Sequence, residues 1–243
     1  MAELVKLEGV TVAFGGVKAI DNVNLTIEDN VGIVGIIGPN GAGKSTCLSV
    51  IAGARKPKTG SVEVLGHKIT KADTAKITRL GVARTFQIPR PFTEMTVREN
   101  IMVAVTANHR LSNAEADART DEILERLGIA NQAELLTGAL PLAVRKKIEV
   151  ARGIATQPKL LLLDEVFEGL SDTEIQDMVQ ILRDLDKSGI RLVLVEHVLR
   201  ALRQLASTLV VFEKGQMIAT GPVDEVLNSD RVKDAYLGHR STP

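Results

Sequence analysis

Nine residues, GPNGAGKST over 38–46, have the types and spacing of a loop that wraps a chain of phosphates. Glycines let the backbone turn its N–H groups and a helix N-terminus toward an anion, Lys44 can reach the β and γ phosphates, and Ser45 can ligate Mg²⁺. Gly38, Asn40, Gly41, Gly43, Lys44, Ser45 and Thr46 are therefore the candidate phosphate-binding residues. The pattern follows the apolar run GIVGII (32–37) and precedes the helical CLSVIAG, which is the strand, loop and helix context such a loop needs.

In LLLLDE, Asp164 and Glu165 leave a buried strand, where ions beside hydrocarbon are costly unless a cation compensates. With a phosphate loop in the chain that cation is Mg²⁺, held by Asp164 and Ser45, while Glu165 polarises the attacking water. RLVLVEH repeats the pattern and places His197 at the end of another buried strand. A lone histidine there is structural about as often as not; beside a phosphate site it is read as a γ-phosphate contact. Taken alone, Gln87 of TFQ (85–87) reads as a surface amide and Phe14 as a core aromatic.

These residues need a sheet to bring them together. GIVGII, LLLL (160–163) and RLVLV (191–195) are short apolar runs typical of parallel strands buried on both faces. Val5, Leu7, Val10, Val12 and later Val23, Leu25 and Ile27 alternate with polar residues, as half-buried antiparallel strands do. Between Pro91 and Pro158 only helical spacing is found. The expected fold is α/β: a phosphate-loop core with a mostly parallel sheet, an N-terminal antiparallel subdomain and an inserted helical subdomain. Residues 1–243 form one unit, with the nucleotide-binding core at 1–90 and 158–243 and the helical part at 91–157.

Composition narrows the function classes. Thirty acidic and thirty basic residues cancel, so no strong field draws the chain toward nucleic acid. Aromatics make up 2% with no Trp, which argues against a base-stacking platform. A single cysteine, Cys47, rules out an internal disulfide and fits a reducing compartment. No signal peptide is expected from the alternating start MAELVKLEGVTVAF. No run approaches the ~18 apolar residues of a membrane span.

Taken in order, GPNGAGKST, TFQ, the helical insert, RKKIEVARGIA, LLLLDE, EGLSD and VEH resemble the ATP-binding subunit of ABC transporters over essentially the whole chain. VARTFQIPRPFTEMTVREN and the C-terminal DRVKDAYLG look most like the branched-chain amino acid and urea uptake branch. The resemblance implies ATP and Mg²⁺ as cofactors, Phe14 stacked on adenine, Gln87 sensing Mg²⁺ and the membrane partner, and Gly169, Leu170, Ser171 and Asp172 contacting the opposite subunit. It implies transmembrane permease subunits, a second ABC ATPase subunit and, indirectly, a solute-binding protein as partners, with no nucleic acid. The expected location is the cytoplasmic face of the cell membrane, and docking is expected around Gln87 to Glu99.

Two positions depart from the family pattern. Where the family carries Leu-Ser-Gly-Gly-Gln to close the other chain's phosphate loop, this chain has Leu140, Pro141, Leu142, Ala143 and Val144. The helix read over Thr137–Ala155 is entered through Pro141, a proline tolerated in a first helical turn. As phosphate chemistry the change removes a serine hydroxyl and one backbone donor, and the Cβ atoms of Leu142 and Ala143 obstruct close approach. Two hydrogen bonds to charged groups at about 1.5–3 kcal/mol each would put the loss at roughly 3–6 kcal/mol, unless water or Arg145, Lys146 and Lys147 replace part of it. Those three basic residues otherwise read as a solvated helix face. Val166, where the family has proline, is expected to alter loop rigidity only. The sequence thus points to an ATPase that energises import of a small polar solute, with asymmetric sites in a heterodimer. An ATP-dependent scaffold with little hydrolysis is the alternative.

Overall fold

The computed structural model describes residues 3–107 and 111–237. Asn108–Arg110 at the end of one predicted helical stretch, and Gly238 of the C-terminal segment, lie outside the described residues.

The alternating N-terminal residues form β1 (Glu3–Phe14) and β2 (Val17–Glu28), an antiparallel pair in which Leu7 faces Leu25 and Val10 faces Val23. The chain continues as β3 (Val34–Ile37), α1 (Lys44–Ile51), β4 (Thr59–Val64), β5 (His67–Lys68), α2 (Thr74–Arg79) and β6 (Val82–Arg84). Three helices follow: α3 (Val97–Ala107), α4 (Asn113–Arg126) and α5 (Leu142–Ala155). Then come β7 (Leu160–Asp164), α6 (Asp172–Lys187), β8 (Arg191–Val195), α7 (Leu199–Leu205), β9 (Thr208–Glu213), β10 (Gln216–Pro222), α8 (Val223–Asn228) and α9 (Asp230–Leu237).

Two sheets result, ordered β2-β1-β4-β5 and β10-β9-β3-β8-β7-β6. In the second, β3 runs parallel to β8 and β9, and β7 runs parallel to β6 and β8. The uninterrupted apolar runs are explained by two cores. Leu160, Leu162, Val193 and Val195 pack toward α1 and the antiparallel sheet, while Leu161, Leu163, Leu192 and Leu194 pack toward α5 and α6. A strand covered on both faces has no polar side to write into its sequence.

Each helix of the 91–157 segment has a readable cause. Val97, Ile101 and Val105 repeat every four residues and are all buried. Ser112 opens α4 with a capping box, its hydroxyl accepting from the Glu115 N–H while the Glu115 carboxylate accepts from the Ser112 N–H. Asn100, fully buried, donates to the carbonyls of Phe92 and Thr96 and accepts from the Phe92 N–H, which fixes the turn ahead of α3.

The expected helix over Thr137–Ala155 begins later than predicted. Thr137–Ala139 is a separate 3₁₀ turn, and Pro141, at φ −56° and ψ 156°, is the residue ahead of the helix instead of its first member. Its carbonyl accepts from the Arg145 N–H at 3.1 Å, so α5 begins at Leu142.

Cys47, on the face of α1 that packs against the sheets, lies wholly inside, and burial pushes its thiol up to about 12. A disulfide reagent such as Ellman's is therefore expected to leave the native chain unmodified and to titrate one thiol in denaturant. Rapid native labelling would show that α1 opens from the sheet.

Candidate functional site

The phosphate loop is shaped by glycine at two points where no other residue fits. Gly38 leaves β3 at φ +146°, and a Cβ there would meet the Phe212 carbonyl oxygen at 2.1 Å. Gly43, at φ +103°, precedes α1, and a Cβ there would meet the Ala19 carbonyl oxygen at 2.4 Å. Lys44 is buried and reaches back across the loop, donating from Nζ to the Gly38 carbonyl at 2.8 Å and to the Pro39 carbonyl at 3.0 Å. Burial lowers its ammonium pKa, with Glu165 and Asp164 opposing that shift.

Gly38 to Thr46 line a cavity of about 760 Å³, and Gln87, Glu165, Glu168, His197 and Tyr236 line the same cavity. The three strand ends predicted from GIVGII, LLLLDE and RLVLVEH therefore meet at one edge, beyond the carboxyl ends of adjacent parallel strands. Gln87 is more than a surface amide: its Nε2 donates to Glu165 Oε2 at 2.5 Å. Burial, and then the hydrogen bond and charge of Glu168, hold the Glu165 carboxyl above the usual range, with His197 pulling the other way.

Asp164 is buried at the end of β7 and accepts the Ser45 hydroxyl on Oδ1 at 3.2 Å. Its other oxygen accepts Arg84 Nη2 at 2.8 Å, and Arg84 Nη1 donates to the Ser49 hydroxyl on α1 at 2.8 Å. The Asp164 N–H donates to the Thr85 hydroxyl at 3.3 Å. Arg84 escaped the sequence reading, and Thr85 entered it only as part of TFQ; a basic residue closing a strand that neighbours the acidic strand end was the available signal. Among the described residues no three His, Cys, Asp or Glu side chains gather into a metal cage. The hydroxyl and carboxylate oxygens of Ser45 and Asp164 suit a hard cation that takes its remaining ligands from phosphate and water, as Mg²⁺ does.

Tyr236 of α9 was also missed. It lines the cavity beside Gly38 and His197; burial pushes its phenol up, with the Gly38 N–H opposing. Arg231 and Asp234 of the same helix flank Pro39–Ala42 from outside. Nothing in DRVKDAYLG marks this contact, because it depends on the chain returning past β10.

Phe14 does not come to the cavity lining and is not core. It is 45% exposed, and the Arg55 guanidinium lies over its ring at 4.8 Å. The basic run of α5 is not a solvated face either. Lys146 is buried and donates to the Glu165 carbonyl at 2.6 Å, and Lys147 pairs with Asp177 at 2.6 Å. Pro141 is exposed, while Leu142, Ala143 and Val144 are half-buried; Leu142 lies against Gly169, and Val144 against the helical core. Ser171 opens α6 through a capping box with Glu174, Asp172 pairs with Arg200, and Leu170 packs partly against the core. Val166 is buried in that core, directly after Glu165, which sits at φ +50°.

A glycine-wrapped anion cradle opening onto a buried aspartate, a glutamate and a histidine at neighbouring strand ends defines a nucleoside triphosphatase. Comparison with known proteins agrees. Residues 20–168 match the ABC transporter family model, and residues 216–241 match that of the branched-chain amino acid ATP-binding cassette transporter. The high-affinity branched-chain amino acid transport ATP-binding protein LivG of Escherichia coli (strain K12) is 32% identical over 250 residues, 97% of this chain and 98% of that protein. The lipopolysaccharide export system ATP-binding protein LptB of Haemophilus influenzae is 30% identical over 233 residues, 96% of each chain. A nucleotide-free ATP-binding cassette superposes with a TM-score of 0.87 at 29% identity, covering 97% of this chain and 99% of that one. The ADP conformation of an ABC transporter cassette superposes at 0.86 and 29%, covering 98% and 100%. The chain belongs to the ABC transporter ATP-binding family, and it is an ATPase of that family.

Arg84→Ala would leave Asp164 buried without its cation. The expected loss is about 3 kcal/mol in urea unfolding, the low end for breaking a buried pair because Arg84 itself is half-buried. A loss under about 1 kcal/mol would mean that water reaches Asp164.

Proposed function

We propose that this chain hydrolyses ATP to drive a membrane transporter that imports amino acids or a similar small polar solute, working beside a second ATPase subunit. The observation that carries this reading is the convergence of Lys44, Ser45, Gln87, Glu165 and His197 on one cavity. Glu165 takes a proton from the attacking water as its oxygen bonds to the γ phosphorus. The bond from that phosphorus to the bridging oxygen breaks, and its electron pair leaves on ADP. Ser45 and Asp164, with Gln87 nearby, would hold Mg²⁺, which supplies charge neutralisation of the phosphates when bound. Lys44 and the loop N–H groups bind the phosphates, and His197 contacts the γ phosphate.

The division into a core at 1–90 and 158–243 and a helical part at 91–157 has a functional sense. Phe86, Ile88, Phe92 and Met95 are exposed, and Leu135 and Leu136, joined to this segment by the Thr96–Leu136 bridge and the Val97 N–H, are exposed beside them. This apolar patch suits a permease helix at the cytoplasmic face of the membrane. Among the described residues no helix is long and apolar enough to cross a membrane. Support for an amino acid as the solute comes from the match at 216–241 and from LivG, both named for transport, whereas the relative LptB is named for export.

Asymmetry follows from α5. Its first N–H groups have no carbonyl one turn back, so the helix start can still attract an anion. The serine hydroxyl is gone, no side chain caps the start, and Lys146 and Lys147 are committed elsewhere. A partner with a normal signature would complete this chain's own loop, with Gly169 to Asp172 at the contact; a solved relative of 26% identity is a dimeric cassette bound to ADP and Pi. A scaffold that only binds nucleotide has no use for Glu165 aimed into the cavity.

Glu165→Gln is expected to lower Mg²⁺-dependent ATP turnover by about 100- to 10,000-fold with nucleotide affinity retained. Turnover unchanged by that substitution would remove Glu165 from the chemistry.

A further inference from the structure

Among the described residues, two of the buried ionisable side chains that the cavity lining does not use lie against the strand ends that carry Glu165 and His197. Lys146 of α5 is 4% exposed and Glu196, directly after β8, is 0% exposed. Both could only persist there with partners, because an unpaired buried charge is strongly unfavourable.

Their partners are backbone groups of Glu165, Phe167 and His197. Lys146 Nζ donates to the backbone carbonyl of Glu165 at 2.6 Å. Glu196 Oε1 accepts the Phe167 N–H at 2.9 Å, and its Oε2 accepts the His197 N–H at 3.3 Å. Glu196 is itself anchored by its own N–H to the Ile36 carbonyl of β3 at 3.1 Å. Burial pushes its carboxyl up to about 7, opposed by the Phe167 and His197 N–H groups and by Lys146 and reinforced by Glu165. Burial lowers the Lys146 pKa, opposed by Glu196, Glu168 and Glu165.

The segment they hold has only long local hydrogen bonds of its own, from the Glu168 N–H to the Glu165 carbonyl at 3.4 Å and from the Leu170 N–H to the Phe167 carbonyl at 3.3 Å. Glu165 sits at φ +50°, an uncommon conformation for a residue with a side chain, just where β7 has ended. Its N–H is fixed by the Val195 carbonyl at 2.8 Å, so Lys146 completes the clamp on the other side of the same residue. Glu196 then fixes the backbone two residues on, and the same carboxylate fixes the backbone of His197.

We propose that Lys146 and Glu196 are positioning residues that hold the Glu165–Phe167 backbone and the His197 backbone, aiming the general base and the γ-phosphate contact into the cavity. The proposal rests on the reading of Glu165 as the base. It also gives the trans-acting helix a second role, since α5 presents its tip to the opposite site and, one turn later, grips the catalytic loop of its own.

The test measures ATP turnover, ATP affinity and hydrogen exchange of the 164–168 backbone in the purified full chain. Lys146→Met is expected to lower kcat about 10- to 100-fold with KM within about threefold, in line with the effect of an ångström-scale misplacement, and to speed exchange at 164–168 but not in α1. Lys146→Arg, which keeps a donor, is expected to recover most of kcat. Glu196→Gln keeps an acceptor for Phe167 but turns a donor toward the His197 N–H, so a smaller loss than in Glu196→Ala is expected. It serves as the second probe if Lys146→Met does not fold. In a Glu165→Gln background, Lys146→Met is expected to add no further loss.

Wild-type kcat and exchange in Lys146→Met, with Glu165→Gln inactive, would overturn the proposal alone. So would full multiplication of the two losses, which marks an independent structural role. If Glu165→Gln itself keeps wild-type turnover, the reading of the base fails first and the proposal falls with it.

Discussion

A carboxylate at the end of a strand covered on both faces has to be answered by donors from its neighbours, and the surroundings of Asp164 follow from that constraint. Arg84 donates from the end of the adjacent strand β6 and Ser45 from the first turn of α1, while the Thr85 hydroxyl, just past β6, accepts the Asp164 backbone N–H. Arg84 also reaches Ser49, so one buried charge ties the phosphate-loop helix to two strands. Because Asp164 faces inward, the next residue must turn away, and Glu165 does so with a positive φ that carries its carboxyl into the cavity. Burial raises the pKa of that carboxyl, which strengthens it as a proton acceptor.

The α5 helix connects this centre to the question raised by Leu-Pro-Leu-Ala-Val. Two of the three cations in its basic cluster offer no replacement for lost phosphate donors, since Lys146 and Lys147 are engaged with Glu165 and Asp177, which leaves Arg145. Leu142, standing where the family has glycine, lies against Gly169 of the same chain. The tip packs against its own chain, and in the proposal above the body of the helix supports hydrolysis in cis. On the function proposed above, such a division would make the two sites of a pair differ.

Strand runs, the phosphate loop and the acidic strand end were legible because each is written in contiguous residues with a fixed physical cause. GIVGII and LLLL had to be apolar throughout, and Gly38 and Gly43 had to be glycine because a carbonyl oxygen occupies the place of a Cβ. Contacts between distant segments were not legible. Lys146 reads as one of three surface cations until Glu165 is brought 2.6 Å away, and Tyr236 reads as tail until α9 returns beside Gly38. Phe14, taken alone, reads as core but stands exposed at the end of β1 under Arg55, and its adenine-stacking role rests on the resemblance. The Ser171 and Ser112 capping boxes were present in the sequence as S-x-x-E and were simply passed over.

The decisive measurement restores the signature. Steady-state Mg²⁺-ATP turnover would be compared between the unaltered chain and the combined variant Pro141→Ser, Leu142→Gly, Ala143→Gly and Val144→Gln, each over a range of protein concentrations. Intact cis machinery with a weakened trans tip predicts turnover about a hundredfold higher in the variant, rising with concentration, and corresponding to the roughly 3 kcal/mol that two lost hydrogen bonds contribute at minimum. Equal turnover in the two proteins at every concentration would contradict it, and would mean that Leu-Pro-Leu-Ala-Val closes a site as well as the usual signature does.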